Sequence, residues 1–127
     1  MVNANCFKEP WAAVKITSLS AVPEDSVSHN PAIKKRVMLR QGDIPPLTNF
    51  SQARFAPGQV ADGHCHRDMA EVFFVESGQG TITIDGRPQP LTSGVCVLVE
   101  PGEHHEVTNT GTDELILTYF GIKVEAG

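Results

Sequence analysis

Cysteine is scarce in this sequence, which has only Cys6, Cys65 and Cys96 among its 127 residues. Small domains held together by disulfides carry many more cysteines, and no pair here has the CxxC spacing of a zinc knuckle. The count therefore argues against a disulfide framework and against a cysteine metal site. We predict reduced thiols and a cytoplasmic location, with Cys96 as a small core residue in the apolar run VCVLV.

Positive charge and long apolar runs are also scarce. Ten Lys and Arg residues stand against 15 Asp and Glu, and the formal net charge of -5 opposes attraction to nucleic-acid phosphates or anionic lipid. The one basic cluster, residues 34–36, is short and has no interleaved aromatics, so we interpret it as a solvated strand end. No run approaches the about 20 apolar residues of a membrane span, and residues 1–16 lack a signal-peptide pattern. We expect neither a nucleic-acid nor a membrane partner.

The chain changes character near residue 35. Pro10, Pro23 and Pro31 and other turn formers punctuate the first part. The second part alternates short β-prone runs with Gly and Pro, and its Asp85-Gly86 dipeptide is typical of a hairpin turn. About seven or eight short strands of this kind indicate an antiparallel sandwich or barrel. We predict an irregular segment over residues 1–34 that packs on one β-barrel domain over residues 35–127.

Two clusters of polar residues lie within the β-prone part. In the first, HCHRDMAE, His64 and His66 are two residues apart and share one face of a strand, while Cys65 points to the other. A hairpin after them could return Glu71 beside the two imidazoles. Taken alone, two such histidines are more often surface or hydrogen-bonded residues than metal ligands. The second cluster, PGEHHEVTN, carries His105, which chain return could bring across the barrel from the first pair.

The two clusters together match a pair of known motifs, and the sequence resembles the cupin family. The first motif reads G, five residues, H-x-H, four residues, E, six residues, G, at Gly58, His64, His66, Glu71 and Gly78. The second reads G, five residues, P-x-G, two residues, H, three residues, N, at Gly94, Glu100, Gly102, His105 and Asn109. Only Glu100, which stands where the motif has proline, departs from the pattern. The resemblance implies an all-β fold, an antiparallel jelly-roll barrel or double-stranded β-helix, in which the motif glycines are turn residues.

The resemblance also implies a metal site, in which His64, His66, Glu71 and His105 coordinate one divalent ion. Nitrogen and oxygen ligands suit Fe, Mn, Ni, Zn or Cu, and the sequence does not distinguish among them. Such a centre could serve an enzyme that acts on a small oxygen-rich organic molecule by dioxygenation or isomerisation. The alternative is a barrel that binds a small acid or sugar without turnover. No catalytic residue is assigned.

Residues outside the motifs are harder to place from the sequence. Arg54 and Gln52 share a strand face and could line the pocket, where Arg54 could clamp a substrate carboxylate or phosphate; alternatively, Arg54 could form a surface ion pair. Tyr119 could face inward as a packed residue. The runs VFFV and VCVLV are apolar on both strand faces, so either the N-terminal segment with Trp11 or a second subunit should cover the outer face. We expect a homodimer.

Overall fold

The computed structural model describes residues 15–125, which form ten β-strands. They are β1 (Glu24–Val27), β2 (Asn30–Arg40), β3 (Leu47–Phe55), β4 (Val60–His64), β5 (Met69–Ser77), β6 (Gln79–Ile84), β7 (Arg87–Thr92), β8 (Cys96–Val99), β9 (His105–Thr108) and β10 (Leu115–Lys123). Within the described range there is no helix that could cross a membrane.

The strands form two sheets, and every pairing is antiparallel. The larger sheet has the order β1-β2-β3-β10-β5-β8, and the smaller one has the order β4-β9-β6-β7. Neighbours in a sheet are often distant in sequence, as with β10 between β3 and β5, which is how a jelly roll crosses from sheet to sheet. The predicted all-β antiparallel fold is confirmed.

The core lies between the sheets and follows strand alternation. Along β5, Glu71, Phe73 and Val75 face inward and are buried, and Leu115 and Leu117 do the same on β10. Partners from the smaller sheet include Ile82, which is fully buried. One face of each sheet is thereby removed from water, which is the main stabilising contribution in such a fold.

The turns confirm the role assigned to the motif glycines. Gly58, Gly78, Gly94 and Gly102 all have positive φ, at 84°, 90°, 90° and 86°. At Gly78 a side chain would also have no room, because an added Cβ would lie 2.8 Å from the Cα of Leu115. The hairpin between β6 and β7 turns at residues 85–86, both with positive φ, as the dipeptide predicts.

Two expectations differ from the structure. The boundary predicted between residues 34 and 35 falls inside β2, and residues 24–27 form β1, because turn formers at 28–31 make a hairpin there rather than an irregular segment. There are also more strands than expected, because β7 contains Pro88 and Pro90 and so hides its strand character; it lies at a sheet edge, where proline is tolerated. The N-terminal packing predicted for residues 1–14 lies outside the described residues.

Cys96 is exposed, so its interpretation as a core residue is wrong. β8 is the edge strand of the larger sheet, and the residues of this run that face the core are Val99, which is buried, and Val95 and Val97, which are partly buried. Because the whole run VCVLV is apolar, its sequence does not reveal which face is inward. Phe74 on β5 and Leu98 on β8 share the outer face with Cys96 and are 43% and 55% exposed.

Asn109, the last residue of the second motif, is buried and joins the end of β3 to the loop between β9 and β10. Its side-chain nitrogen donates to the carbonyl oxygens of Phe55 and Asp113, both at 2.9 Å, and its oxygen accepts from the backbone nitrogen of Gly111 at 2.9 Å. Truncation would leave these backbone groups without partners in a buried place. The residue therefore belongs to the fold rather than to the cluster of histidines.

We predict that Asn109→Ala lowers the free energy of unfolding by about 2–3 kcal/mol, because each buried backbone group left unpaired carries a desolvation cost. Urea denaturation of the purified variant measures the change. Thr110→Ala, at the exposed neighbouring position, is the control and should leave the midpoint unchanged. Equal midpoints for the parent and Asn109→Ala would contradict this role.

Candidate metal centre

Two strands of the smaller sheet and one strand of the larger sheet bring the candidate ligands together. His64 is the last residue of β4 and His105 is the first of β9, and the two are direct partners in the β4–β9 pairing. His66 follows two residues after the end of β4. Glu71 comes from β5 in the larger sheet, so the cluster spans both layers of the fold.

The three imidazoles converge on one carboxylate oxygen. Glu71 Oε1 lies 4.0 Å from His64 Nε2, 3.4 Å from His66 Nε2 and 3.2 Å from His105 Nε2. The ligand atoms of His64, His66 and Glu71 all lie within 4.8 Å of one another, an arrangement that could hold a metal ion. His105 Nε2 is the nearest of the three imidazole nitrogens to the carboxylate.

Two buried polar atoms of this cluster have no hydrogen-bond partner among the described residues. Glu71 and His105 are buried, and neither Glu71 Oε1 nor His105 Nε2 has a hydrogen-bond partner among the described residues. Buried polar atoms are rarely left without partners, because desolvation without a compensating bond is costly. Both atoms are normal metal ligands and both face the same small space, so the donor set fits a cation.

The rings also have their Nε2 atoms free for coordination. His64 Nδ1 lies 3.0 Å from the carbonyl oxygen of Asp62, and His105 Nδ1 lies 3.5 Å from that of Glu103. Because a carbonyl can only accept, these contacts favour a proton on Nδ1 and a lone pair on Nε2. Burial lowers the pKa of His64 below its usual value, which favours the neutral imidazole that binds metals.

A cavity of about 370 Å³ adjoins the cluster. Phe55, Phe73 and Leu117 form apolar parts of its wall, and Tyr119 lies beside them with its ring stacked on Phe73 at 5.6 Å. Burial raises the pKa of Tyr119 to about 12, so its phenol stays protonated at neutral pH. The volume lies in the range typical of small-molecule sites.

The other residues considered from the sequence divide between the two faces of the larger sheet. Tyr119 lines the cavity, but Arg54 is exposed and pairs with Glu114 at 2.6 Å. Gln52 is on the same outer face and donates to Glu76 at 2.7 Å. Neither Arg54 nor Gln52 reaches the cavity, because the inward positions of β3 are those of the alternate residues.

The hairpin expected to bring Glu71 beside the histidines does not form. β4 and β5 belong to different sheets, and the connection between them crosses from one layer to the other. His105 is likewise not across the barrel from the first pair but on the strand next to His64. The motif spacing indicates which residues meet, while the pairing of the strands depends on the whole topology.

Two residues near the cluster were missed from the sequence. His29, in the turn between β1 and β2, stacks on His64 with ring centroids 3.8 Å apart and an angle of 17° between the planes. Lys35 lines the cavity, so its interpretation as part of a solvated strand end is wrong. The alternation of β2, with buried Ile33 and Val37 on either side of Lys35, is the signal that could have placed it.

His104 and Cys65 point away from the cluster. Both are exposed, and the His104 ring covers Gly63, where an added Cβ would come within 2.6 Å of its Nε2 atom. Adjacent positions on an extended segment face opposite ways, so His104 and His105 cannot share the site.

Comparison with curated proteins finds relatives of two kinds. The oxalate-binding protein of Thermotoga maritima is 27% identical over 66 residues, which are 52% of this chain and 54% of that protein. A UDP-2-acetamido-2,6-beta-L-arabino-hexul-4-ose reductase of Pseudomonas aeruginosa is 27% identical over 126 residues, which cover 88% of this chain and 33% of that protein. The chain thus spans about half the length of the first relative and about a third of the second.

Among solved structures, the fold is similar to that of a predicted oxalate decarboxylase from Thermotoga maritima. The TM-score is 0.80 at 19% sequence identity, over 86% of this chain and 99% of that one. A likeness at this identity shows a shared fold. A family model described as a cupin domain matches residues 51–121, which is more than half of the chain and includes both ligand clusters. The chain therefore belongs to the cupin family, as the two motifs suggested.

Proposed function

We propose that His64, His66, Glu71 and His105 hold one divalent transition-metal ion, and that the cavity beside them binds a small oxygen-rich organic molecule. The observation that carries this proposal is the pair of buried atoms, Glu71 Oε1 and His105 Nε2, that have no partner among the described residues and face each other at 3.2 Å. A cation between them would satisfy both atoms at once.

The donor set limits the ion to a small group. Three imidazoles and one carboxylate suit Fe, Mn, Ni, Zn or Cu and are a poor match for Ca or Mg, which prefer oxygen ligands. Such an ion, when bound, polarises a ligand oxygen or, if redox-active, activates dioxygen. Dioxygenation and isomerisation of the bound molecule are accordingly the two reactions we propose.

The protein itself supplies a partly dry cavity and a fixed set of contacts. Phe55, Phe73 and Leu117 exclude water from one side of the cavity. Tyr119 remains a neutral phenol, which can donate a hydrogen bond to a ligand oxygen without adding charge. These residues would orient a ligand and reduce its contact with solvent. Both effects serve either reaction, and they also serve binding without turnover.

A second candidate function is binding without turnover. It is favoured by the similarity to a protein named for oxalate binding. That similarity covers 52% of this chain and 54% of the relative. Under both candidates the ligand is a small molecule rich in oxygen. The two differ only in whether the bound molecule is changed.

The outer face of the larger sheet supports a proposed homodimer. Phe74 and Leu98 are large apolar side chains with 43% and 55% of their surface exposed, and they lie on neighbouring strands at the β8 edge. A second copy would present the same surface, so a two-fold pairing would cover both.

We predict that the purified protein contains about one equivalent of iron, manganese, nickel, copper or zinc, and that His105→Ala loses it because one imidazole ligand is gone. Elemental analysis of untagged protein measures the content. His104→Ala is the matched control, since it removes the neighbouring exposed ring, and should keep the metal. A parent that stays metal-free after reconstitution, or equal content in His105→Ala, would contradict the site.

Turnover separates the two candidate functions. For an enzyme, we expect oxygen uptake or an isomerised product when the metal-loaded protein is incubated with small organic acids and sugars, and loss of that signal in His105→Ala. Oxygen electrode traces and mass spectra of the recovered small molecules provide the measurement. Tight stoichiometric binding with the ligand recovered unchanged would instead identify a binding protein.

For the homodimer, we expect Leu98→Lys to shift the protein towards monomer, because it places a charge within the apolar outer face. Sedimentation velocity over a range of concentrations measures the association. Ile44→Lys, at a loop position that is 51% exposed, is the matched control and should leave the association state unchanged. A monomeric parent would overturn the homodimer.

A further inference from the structure

The strand β2 directs one lysine towards the interior of the barrel. Ile33, Lys35 and Val37 alternate with residues that point outward, and Ile33 and Val37 are buried at 0% and 7% exposure. Lys35 is also the direct partner of Ala53 on β3, which is 3% exposed and lines the cavity. Between Ile33 and Val37 the inward face of β2 is therefore apolar except for this ammonium group, and Arg40 at the end of the strand also lines the cavity.

Lys35 has no ion-pair partner among residues 15–125. No described carboxylate lies within 4.0 Å of its ammonium group, and it makes no side-chain hydrogen bond there, whereas Lys34 next to it bonds to Ser26 and the carbonyl of Pro31. Asp25 is opposite Lys35 on β1, but its carboxylate pairs with Arg40 at 3.3 Å. The nearest acid on the neighbouring strand is thus already engaged.

The charges around the cavity leave Lys35 without a counterpart. Among the lining residues Lys35 and Arg40 are cationic and Glu71 is the one acid. Asp25 pairs with Arg40, and a divalent ion on the candidate ligand set would more than neutralise Glu71, so the metal centre would add its own positive charge to that of Lys35. A partly enclosed, apolar-walled cavity with a surplus positive charge attracts anions, because field lines concentrate where the dielectric constant is low.

We infer that the cavity takes a small organic acid, and that Lys35 binds a carboxylate of that acid at a distance from the ligand cluster. A single uncompensated ammonium group matches the single charge of a carboxylate better than the double charge of a phosphate, which usually needs several donors. The inference rests on the proposed function, which it refines by assigning the ligand class and a second contact point. Lys35 is then a residue that determines specificity.

The test uses the metal-loaded full chain and isothermal titration calorimetry with the dicarboxylates from oxalate to glutarate. The acid that binds the parent most tightly is compared with its monoamide, which keeps the shape but lacks one negative charge. Lys35→Met removes the charge and keeps an unbranched side chain of similar length. Because the neighbouring inward residues Ile33 and Val37 are apolar, this variant should fold as the parent does. Lys35→Arg keeps the charge. Lys34→Met, which makes the same change on the outer face, is the matched control.

We expect Lys35→Met to weaken binding of the diacid about tenfold to a hundredfold, as for the loss of one charged hydrogen bond, and to leave binding of the monoamide unchanged. Lys35→Arg should retain most of the affinity, and Lys34→Met should behave as the parent. All samples should hold the same amount of metal and unfold at similar temperatures.

Other outcomes would overturn the role of Lys35. These are parent-like binding by Lys35→Met, an equal loss in Lys34→Met, an equal loss for the monoamide, or no binding of any acid by the metal-loaded parent. Elemental analysis of the same samples keeps the two levels apart. If the parent holds metal and Lys35→Met binds the acid as tightly as the parent, this inference alone is contradicted. If the parent cannot hold metal, the proposed function and this inference are contradicted together.

Discussion

Glu71 places a carboxylate inside a barrel whose interior is otherwise mostly apolar, and the arrangement of the site follows from that burial. Moving an ionised carboxylate out of water costs several kcal/mol unless other groups compensate it. Three imidazoles surround its Oε1 atom, and two of them, His64 and His105, have Nδ1 facing a carbonyl group, which favours a lone pair rather than a proton on the Nε2 atom nearer the carboxylate. Imidazole lone pairs that face a carboxylate repel it unless a cation lies between them or the rings take up protons. The lowered pKa of His64 disfavours a proton on that ring.

Both sheets contribute residues to this cluster and fix their positions. The pairing of β4 with β9 fixes His64 beside His105, while alternation along β5 turns Glu71 inward from the opposite sheet. The β1–β2 hairpin closes one side, because Asn30 donates to the carbonyl oxygen of Val60 at 2.9 Å and His29 stacks on His64. The separation of the ligands is therefore set by how the sheets pack, and a change in core packing would alter the distances at the site.

The local patterns predicted more of the site than of the topology. The match of two short motifs to the cupin pattern identified the residues that converge, and Asp85-Gly86 identified its hairpin, because each of these signals lies within one short stretch of sequence. Neither signal says which strands pair, so the placement of β4 and β5 in different sheets could not be predicted. A uniform run hid the orientation of Cys96, because residues 95–99 are all apolar and their alternation gives no contrast. Lys35 was misplaced for another reason: the charged run 34–36 was interpreted as a unit, although Ile33 and Val37 on either side of Lys35 mark the inward face.

The interior is divided into a filled part and a hollow part, and this division lets a polar site exist in a small barrel. Ile33, Val75 and Leu115 are fully buried, and none of them lines the cavity. These residues stabilise the sheets without the site. The hollow part depends on small side chains, because Ala53 and Ala61 line it where larger apolar residues would fill the space. Those alanines bury less apolar surface than larger residues would, so the cavity lowers stability, and the fully buried part of the core offsets that loss.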